Sequence, residues 1–285
     1  MKFYSYLITG LFLLTSLLGY TQIETPLPSP LATLQQKVGL TDVEITYSRP
    51  GMKARVIFGE LVPFNEMWRT GANASTKIKF SEDVTFGGEK VPAGEYALYF
   101  IPAEGEAEWT VIVHKNLEHW GIGDYKEEED LVRFMIKPKK MNITAETMTF
   151  EFSTFTSQGA NLSFYWESTM LSIPIRVNTD ETVMAQIAKV MGEPSAGDYR
   201  KAAVYYQENG KDLEKALAWI TKAVDMKPEA FWYLHNKATI LHELGKKKEA
   251  IAAAEKSMEM AKVYEEGDYG YIKRNEELIA KIKKG

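Results

Sequence analysis

The stretch that decides the fold of the first half of the chain is LATLQQKVGLTDVEITY, residues 31–47. Before Gly39, every second residue alternates with more polar neighbours, and the same alternation resumes after Gly39. A period of two is typical of a strand with one buried face, and a glycine between two such runs favours a turn. The alternating positions are Ala32, Leu34, Gln36 and Val38, then Val43, Ile45 and Tyr47. The stretch therefore predicts a β-hairpin.

The same period continues as far as Val177, interrupted by Gly, Pro, Asn and Asp. Turn residues at 87–88 and 92–94 separate several of the runs. Because no helical period lies between about ten short strands, the pattern indicates an antiparallel β sandwich or barrel. Further strands are predicted at residues 76–80, 83–86, 95–101, 108–114, 131–136, 148–155, 161–167 and 170–177.

After Val177 the composition shifts to Ala, Glu, Lys and Leu, and apolar residues recur every three or four positions, which predicts helices. The first is expected at residues 181–191. Ala216 and Ala250 lie 34 residues apart. A period near 34 with small residues at helix crossings is typical of a tetratricopeptide helix pair. The second half therefore resembles the tetratricopeptide repeat family over residues 198–262, with a capping helix expected at 271–284.

The usual role of tetratricopeptide repeats is to bind protein segments, so the resemblance implies a protein partner through the helical repeats. Repeats of this kind need neighbours to bury their apolar faces. The alternative is that this unit packs only against the β domain or against a second copy of the chain.

The N-terminus has the order of a secretory signal peptide: Lys2, an apolar run at residues 7–18, then small and polar residues. We expect cleavage after Thr21. The apolar run is shorter than the roughly 20 residues that span a bilayer, so we predict export without a transmembrane anchor. The mature protein is expected to be periplasmic or secreted.

Composition excludes several classes of function. No cysteine is present, so disulfides and cysteine chemistry are excluded. A formal net charge of -5 argues against a nucleic-acid partner. Lysine-rich patches at residues 246–248 and 281–284 lie among glutamates on predicted helices and are typical of solvated faces.

Together these patterns predict five segments: a signal peptide at 1–21, a linker at 22–30, a β domain at 31–177, a linker with a short helix at 178–197, and helical repeats with a capping helix at 198–285.

Residues 49–73, RPGMKARVIFGELVPFNEMWRTGAN, concentrate arginine, tryptophan and asparagine among strand and turn residues. With residues 92–96 and 108–112, this stretch resembles the secreted bacterial family catalogued as domain of unknown function 2911, over nearly all of 29–177. One departure is Ala54, where the family commonly has glycine. The resemblance implies export, a mainly-β fold and a candidate site. It implies no chemistry, since the family has no established activity.

Physical chemistry suggests what such a stretch could bind. Planar guanidinium groups suit carboxylate, phosphate or sulfate, an indole offers a stacking face, and amide and hydroxyl groups supply directional hydrogen bonds. We therefore predict a small anionic or polyhydroxylated ligand. The candidate ligand-binding residues are Arg49, Arg55, Trp68, Arg69, Thr70 and Asn73. The structural alternative pairs the arginines with carboxylates such as Glu44, Glu60 or Glu66 and places the tryptophan in the core.

A second candidate site combines His114, His119 and Asp124, which could bind zinc or supply a general base. The two histidines lie five residues apart across a strand end and a loop, which matches no strong metal template. The sequence therefore predicts no metal and no cofactor. His235 and His242 lie seven apart on one predicted helix, too far to share an ion.

No catalytic signature accompanies these residues. Neither Ser48 nor Thr70 lies in a nucleophile elbow, and the glycines at 87–88 are not followed by a phosphate-binding helix. The sequence favours a non-enzymatic binding protein of the bacterial cell envelope, with a small-ligand site in the β domain and a protein-binding helical tail. Two alternatives stay open: an envelope hydrolase that uses the same Arg/Trp loop region, and a purely structural envelope protein.

Overall fold

The computed structural model describes residues 25–284 of the chain. The predicted signal peptide and the first residues of the linker after it lie outside the described residues. Within them the chain forms two compact units, the first ending at Thr179 and the second beginning at Asp180.

The first unit is an antiparallel β domain, which confirms the predicted fold class. A short 3-10 helix at Glu127–Glu129 precedes its eighth strand. The strands in the described residues are β1 (Leu31–Val38), β2 (Thr41–Ser48), β3 (Thr76–Phe80), β4 (Val84–Phe86), β5 (Glu89–Val91), β6 (Gly94–Ile101), β7 (Trp109–His114), β8 (Asp130–Ile136), β9 (Lys139–Thr156) and β10 (Gly159–Val177).

The strands form two sheets. One has six strands in the order β1-β2-β3-β6-β7-β8, and the other has four in the order β5-β4-β10-β9. The predicted hairpin is confirmed as β1 and β2, in which Leu34 pairs with Ile45. Every strand pairing is antiparallel, and two-residue turns join β1 to β2, β4 to β5 and β9 to β10.

The long hairpin of β9 and β10 differs from the prediction. The runs at 161–167 and 170–177 are one strand, because the register shifts on both sides of Glu167 instead of breaking at a turn. Glu167 has a positive φ of 53°, the local signature of this irregularity. A bulge interrupts the period of two without ending the strand. The prediction from alternation therefore divided β10 into two strands.

The core of the first unit lies between the two sheets and is rich in aromatic rings. Phe58 lies 4.7 Å from Trp109 between ring centroids, and Trp68 stacks on Trp166 at 5.6 Å. Phe100 of the six-stranded sheet meets Phe164 of the four-stranded sheet at 5.5 Å. Aromatic side chains bury large areas, so these contacts dominate the hydrophobic stabilisation of the sandwich.

The outer face of the six-stranded sheet is also covered at β6 and β7. Ala97, Tyr99 and Ile112 point away from the main core and are fully buried in a second small cluster. Leu117 and Tyr125, from the segment between β7 and the 3-10 helix, pack on them. This segment, residues 115–126, is called the crossing segment below.

The second unit is helical. The predicted helix at 181–191 is observed as α1, and the predicted capping helix is α6. Helices α2 with α3 and α4 with α5 form consecutive pairs. The helices of the described residues are α1 (Thr179–Val190), α2 (Ala196–Glu208), α3 (Leu213–Met226), α4 (Phe231–Glu243), α5 (Lys247–Lys262) and α6 (Tyr271–Lys284).

Small residues allow these helices to pack closely. The buried positions Ala203, Ala216, Ala223, Ala238 and Ala250 are fully covered, as the repeat pattern predicts. No helix in residues 25–284 combines the length and apolar character that a bilayer span requires.

A buried hydrogen-bond network joins the last three helices. Asn275 of α6 accepts from Nδ1 of His235 in α4 at 2.7 Å and donates to Oγ of Ser257 in α5 at 2.9 Å. Ser257 in turn donates to the carbonyl of Phe231 at 2.8 Å. Asn275 and Ser257 are completely buried, so this network fixes the position of the capping helix.

Candidate functional site

Arg49, the first of the predicted ligand-binding residues, links two strands. Its Nε donates to the carbonyl of Met148 at 3.2 Å, and its Nη2 donates to Oγ1 of Thr149 at 2.8 Å. Both acceptors belong to β9, whereas Arg49 follows β2. The guanidinium therefore ties one sheet of the sandwich to the other.

Arg55 closes its own turn. Its Nη2 donates to the carbonyl of Gly51 at 2.8 Å, and its Nε donates to the carbonyl of Met52 at 2.9 Å. The two residues between, Lys53 and Ala54, have positive φ angles of 50° and 57°. The two hydrogen bonds from Arg55 therefore stabilise a turn whose positive φ angles are unfavourable for residues other than glycine.

Trp68, Thr70 and Asn73 also contact the chain itself. The indole Nε1 of Trp68 donates to the carbonyl of Gly71 at 3.1 Å, and the ring lies in the core. Thr70 is fully buried. Nδ2 of Asn73 donates to Oγ of Ser48 at 3.2 Å, which attaches the loop to the end of β2.

Arg69 differs from the other two arginines, since its Nε is buried and has no hydrogen-bond partner among the described residues. Over residues 25–284, none of the three arginines pairs with a carboxylate, so the salt bridges of the structural alternative, to Glu44, Glu60 or Glu66, are not formed. Arg49 and Arg55 donate to different segments of the chain. A ligand-binding role for the six residues stays a prediction.

The crossing segment and the end of β7 build a second candidate site, which we call the histidine cluster: His114, His119, Glu129 and Asp130. His114 is completely buried on the outer face of the sheet. Its Nδ1 lies 2.8 Å from Oδ1 of Asp130. A carboxylate oxygen can accept from Nδ1–H, and a neutral imidazole in that tautomer has its lone pair on Nε2. That Nε2 has no hydrogen-bond partner within residues 25–284.

A bulge brings Asp130 to this position. Val113 pairs with Val132, but the next residue, His114, pairs with Asp130 instead of Leu131. The register shift turns the carboxylate towards the imidazole.

Asp130 has two further partners. The hydroxyl of Tyr125 donates to its oxygens at 2.7 and 2.8 Å, and Nε of Arg133 also donates to it. Burial, followed by the hydrogen bond to Asp130, raises the pKa of Tyr125 well above its usual range. The tyrosine therefore keeps its proton and fixes the carboxylate that fixes His114.

His119 and Glu129 complete the cluster. Nε2 of His114 and Nε2 of His119 each lie 3.4 Å from the same atom, Oε2 of Glu129. That oxygen also accepts from Nδ2 of Asn116 at 3.1 Å. The hydrogen bond from Asn116 is the main cause that lowers the pKa of the Glu129 carboxyl, which is therefore ionised at neutral pH.

The sequence pointed to the two histidines but named Asp124 as their carboxylate. Asp124 is exposed, and the carboxylate beside the histidines is Glu129. The pair at positions 129–130 stands at the start of a strand predicted at 131–136, and β8 is the antiparallel neighbour of β7. The antiparallel pairing of these two strands could have identified Glu129 from the sequence, because it brings the start of β8 to the end of β7.

The second unit has a groove between α1, α2 and α3, with a cavity of about 340 Å³. Nζ of Lys215 lies 5.0 Å from the ring centroid of Trp219 and 5.5 Å from that of Tyr206. Nζ of Lys222 lies 5.3 Å from the ring centroid of Tyr199. We call this the helical groove. Its lining residues are Met184, Ile187, Ala188, Met191, Tyr199, Tyr206, Lys215, Trp219 and Lys222.

Comparison with known families adds two findings. A tetratricopeptide repeat model matches residues 233–264, which cover most of α4 and α5. Comparison with curated proteins finds none that matches. A second family model matches residues 29–175, just over half of the chain and nearly all of the β sandwich. This chain therefore belongs to the family described as Protein of unknown function (DUF2911).

Proposed function

We propose that this chain is a non-enzymatic binding protein of the bacterial cell envelope, and that its second unit takes a protein segment in the helical groove. The observation that carries the proposal is the composition of that groove, in which two lysines lie over an aromatic floor. The tetratricopeptide match at 233–264 supports a protein-interaction role for this unit.

The groove favours a segment with both apolar and acidic side chains. Tyr199 and Trp219 are partly exposed and offer flat apolar surface, and such residues often dominate the energy of interfaces. No carboxylate lines the groove, although the chain as a whole carries a net charge of -5. Lys215 and Lys222 therefore give the groove a local positive charge, which complements Asp or Glu side chains in an occupant.

The envelope location rests on the N-terminal sequence, which has the order of a signal peptide. The absence of cysteine means that the protein needs no particular redox environment to fold.

The groove is tested with the full chain and labelled peptides of about 12 residues, long enough to cross two helices. One set carries Glu with Phe or Leu, and the matched set replaces each Glu by Lys. We expect the acidic set to raise fluorescence anisotropy on binding and to change the emission of Trp219. K215E combined with K222E should weaken binding at least about tenfold.

K248E is the matched control, because Lys248 is an exposed lysine of α5 outside the groove. It should bind the acidic peptides as the wild type does. Equal binding of acidic and basic peptides, or binding that K215E/K222E leaves unchanged, would contradict the proposed occupant.

A further inference from the structure

We propose that His114, His119 and Glu129 form a binding site for one divalent transition-metal ion of the zinc class. The site lies in the DUF2911 unit and does not depend on the function proposed for the helical groove.

The first argument is convergence. One ligand atom from each of the three residues lies within 4.8 Å of the other two. Both imidazole Nε2 atoms lie 3.4 Å from Oε2 of Glu129. In a tetrahedral site with metal bonds of about 2.0–2.1 Å, two ligand atoms are about 3.3–3.4 Å apart. Both nitrogen–oxygen separations therefore match those of ligands around a shared ion, and the ligand atoms of the two histidines lie within 4.8 Å of each other.

The second argument is the unpartnered nitrogen of His114. The side chain is completely buried, and its Nε2 has no hydrogen-bond partner among the described residues. Although Nε2 lies 3.4 Å from Glu129, the atoms lack the alignment of a hydrogen bond. Buried polar atoms without partners are rare in native proteins and call for an explanation. A metal ion supplies one, because it accepts the lone pair.

The third argument is the support behind that ligand. Metal-binding histidines usually donate their second ring N–H to a carboxylate, which fixes the tautomer and raises the basicity of the ligating nitrogen. Asp130 has this role for His114, at 2.8 Å from Nδ1. Tyr125 and Arg133 hold Asp130 in turn. These contacts hold the His114 ring in one orientation, as a metal ligand requires.

The donor set selects the class of ion. Two imidazole nitrogens and one carboxylate oxygen suit zinc and its first-row neighbours, whereas calcium and magnesium prefer oxygen ligands throughout. Three protein ligands leave a coordination position for water or another small ligand. The Glu129 side chain is 31% exposed, so one of the three ligand residues is in contact with solvent.

The test uses the full chain, stripped of metal with a chelator and titrated with Zn²⁺ by calorimetry. We expect one ion per chain, a rise in Tm on loading, and no binding of Ca²⁺ or Mg²⁺. Co²⁺ in place of Zn²⁺ should give the visible absorption of a low-coordinate site, which reports the ligand set directly.

Two substitutions remove ligands other than the completely buried His114. H119Q and E129Q should each weaken Zn²⁺ binding at least about 100-fold, since loss of a direct ligand exceeds the effect of losing a supporting group. E128Q changes an exposed carboxylate in the same 3-10 helix, and D124N changes the carboxylate named by the sequence. Both should bind as the wild type does.

Circular dichroism of the metal-free variants separates lost binding from lost folding, and E129Q keeps the size of the side chain. If the folded wild type takes up no Zn²⁺, or if folded H119Q and E129Q bind it with wild-type affinity, the site does not exist. In the first case the contact of the two histidines with Glu129 is structural only.

Discussion

Nδ1 of His114 and Oδ1 of Asp130 lie 2.8 Å apart across a bulge at the end of β7. The same carboxylate accepts from Tyr125 of the crossing segment and from Arg133 of β8. One side chain therefore gathers three elements on the outer face of the six-stranded sheet.

Removing the charge of Asp130 should destabilise the first unit. D130N leaves Arg133 without its closest anion and weakens the bond to the buried imidazole, so the free energy of unfolding should fall by about 2–4 kcal/mol. Hydrogen exchange of β7 and β8 under urea measures the loss for this unit alone. E127Q is the control, because Glu127 is 75% exposed and lies 3.4 Å from the same arginine. A change in E127Q as large as that in D130N would contradict the role given to Asp130.

Asn275 should hold the capping helix in place. N275A removes the acceptor for Nδ1 of His235 and the donor to the hydroxyl of Ser257, so α6 should lose about 2–3 kcal/mol of protection against local unfolding. Hydrogen exchange of residues 271–284 measures the effect. E276A, at the neighbouring exposed position, should leave exchange unchanged. Unaltered protection in N275A would mean that apolar packing alone holds the helix.

His235 should make the stability of the second unit depend on pH. Burial is the main cause that lowers the pKa of His235 in the folded state, while the unfolded chain takes up the proton near pH 6.5. The contribution is therefore fully present above about pH 6.5 and is lost as pH falls towards the folded-state pKa. Urea unfolding of α4 to α6 at pH 7.5 and pH 5.5 should show this decline in the wild type and a smaller one in H235Q. Parallel curves would exclude His235 as the source.

The two adjacent glycines in the turn between β4 and β5 should differ in the stability that is lost when each is replaced by alanine. Both have positive φ, 61° at Gly87 and 100° at Gly88. A Cβ at Gly87 would overlap the ring of Phe134, whereas one at Gly88 meets nothing within 4 Å. G87A should cost about 3–5 kcal/mol and G88A about 1–2 kcal/mol, because only the first adds a steric clash to the backbone strain. Chemical denaturation of both variants tests the order; equal losses would show that Phe134 moves aside freely.

Replacing Ala54 by glycine, the residue that the family commonly has at this position, should increase the stability of the first unit. Ala54 is exposed and has a φ of 57°, which glycine adopts without a Cβ clash. A54G should stabilise the first unit by about 0.5–1 kcal/mol, the backbone strain removed less the entropy that glycine adds to the unfolded chain. The matched change A185G, at an exposed helical position, should destabilise the second unit by about 1 kcal/mol. Destabilisation by A54G would contradict the strained turn.

Much of the fold followed from local pattern. The hairpin at residues 31–47, the change from β to helix after Val177 and the capping helix at 271–284 were all predicted, because burial of one face imposes a period on the sequence. The long strand β10 was predicted as two strands, since the irregularity at Glu167 interrupts that period. The short strand β5 was missed, because three residues are too few to show alternation.

The sequence predicted the candidate sites less accurately than it predicted the fold. The arginines of residues 49–73 suggested a shared ligand, yet Arg49 and Arg55 donate mainly to the chain's own backbone carbonyls, which composition cannot reveal. His114 and His119 were recognised as a pair, but their carboxylate was assigned to Asp124, which is nearer in sequence.

The sequence by itself determined the order of a β domain and a helical repeat unit, its family and the residue types available for chemistry. These are local properties, set by how often an apolar side chain recurs. Only the tertiary structure decided that Glu129 meets the two histidines and that Asp130 fixes one of them. That choice depends on a one-residue shift in the pairing of β7 with β8, and strand register is set by packing between distant segments.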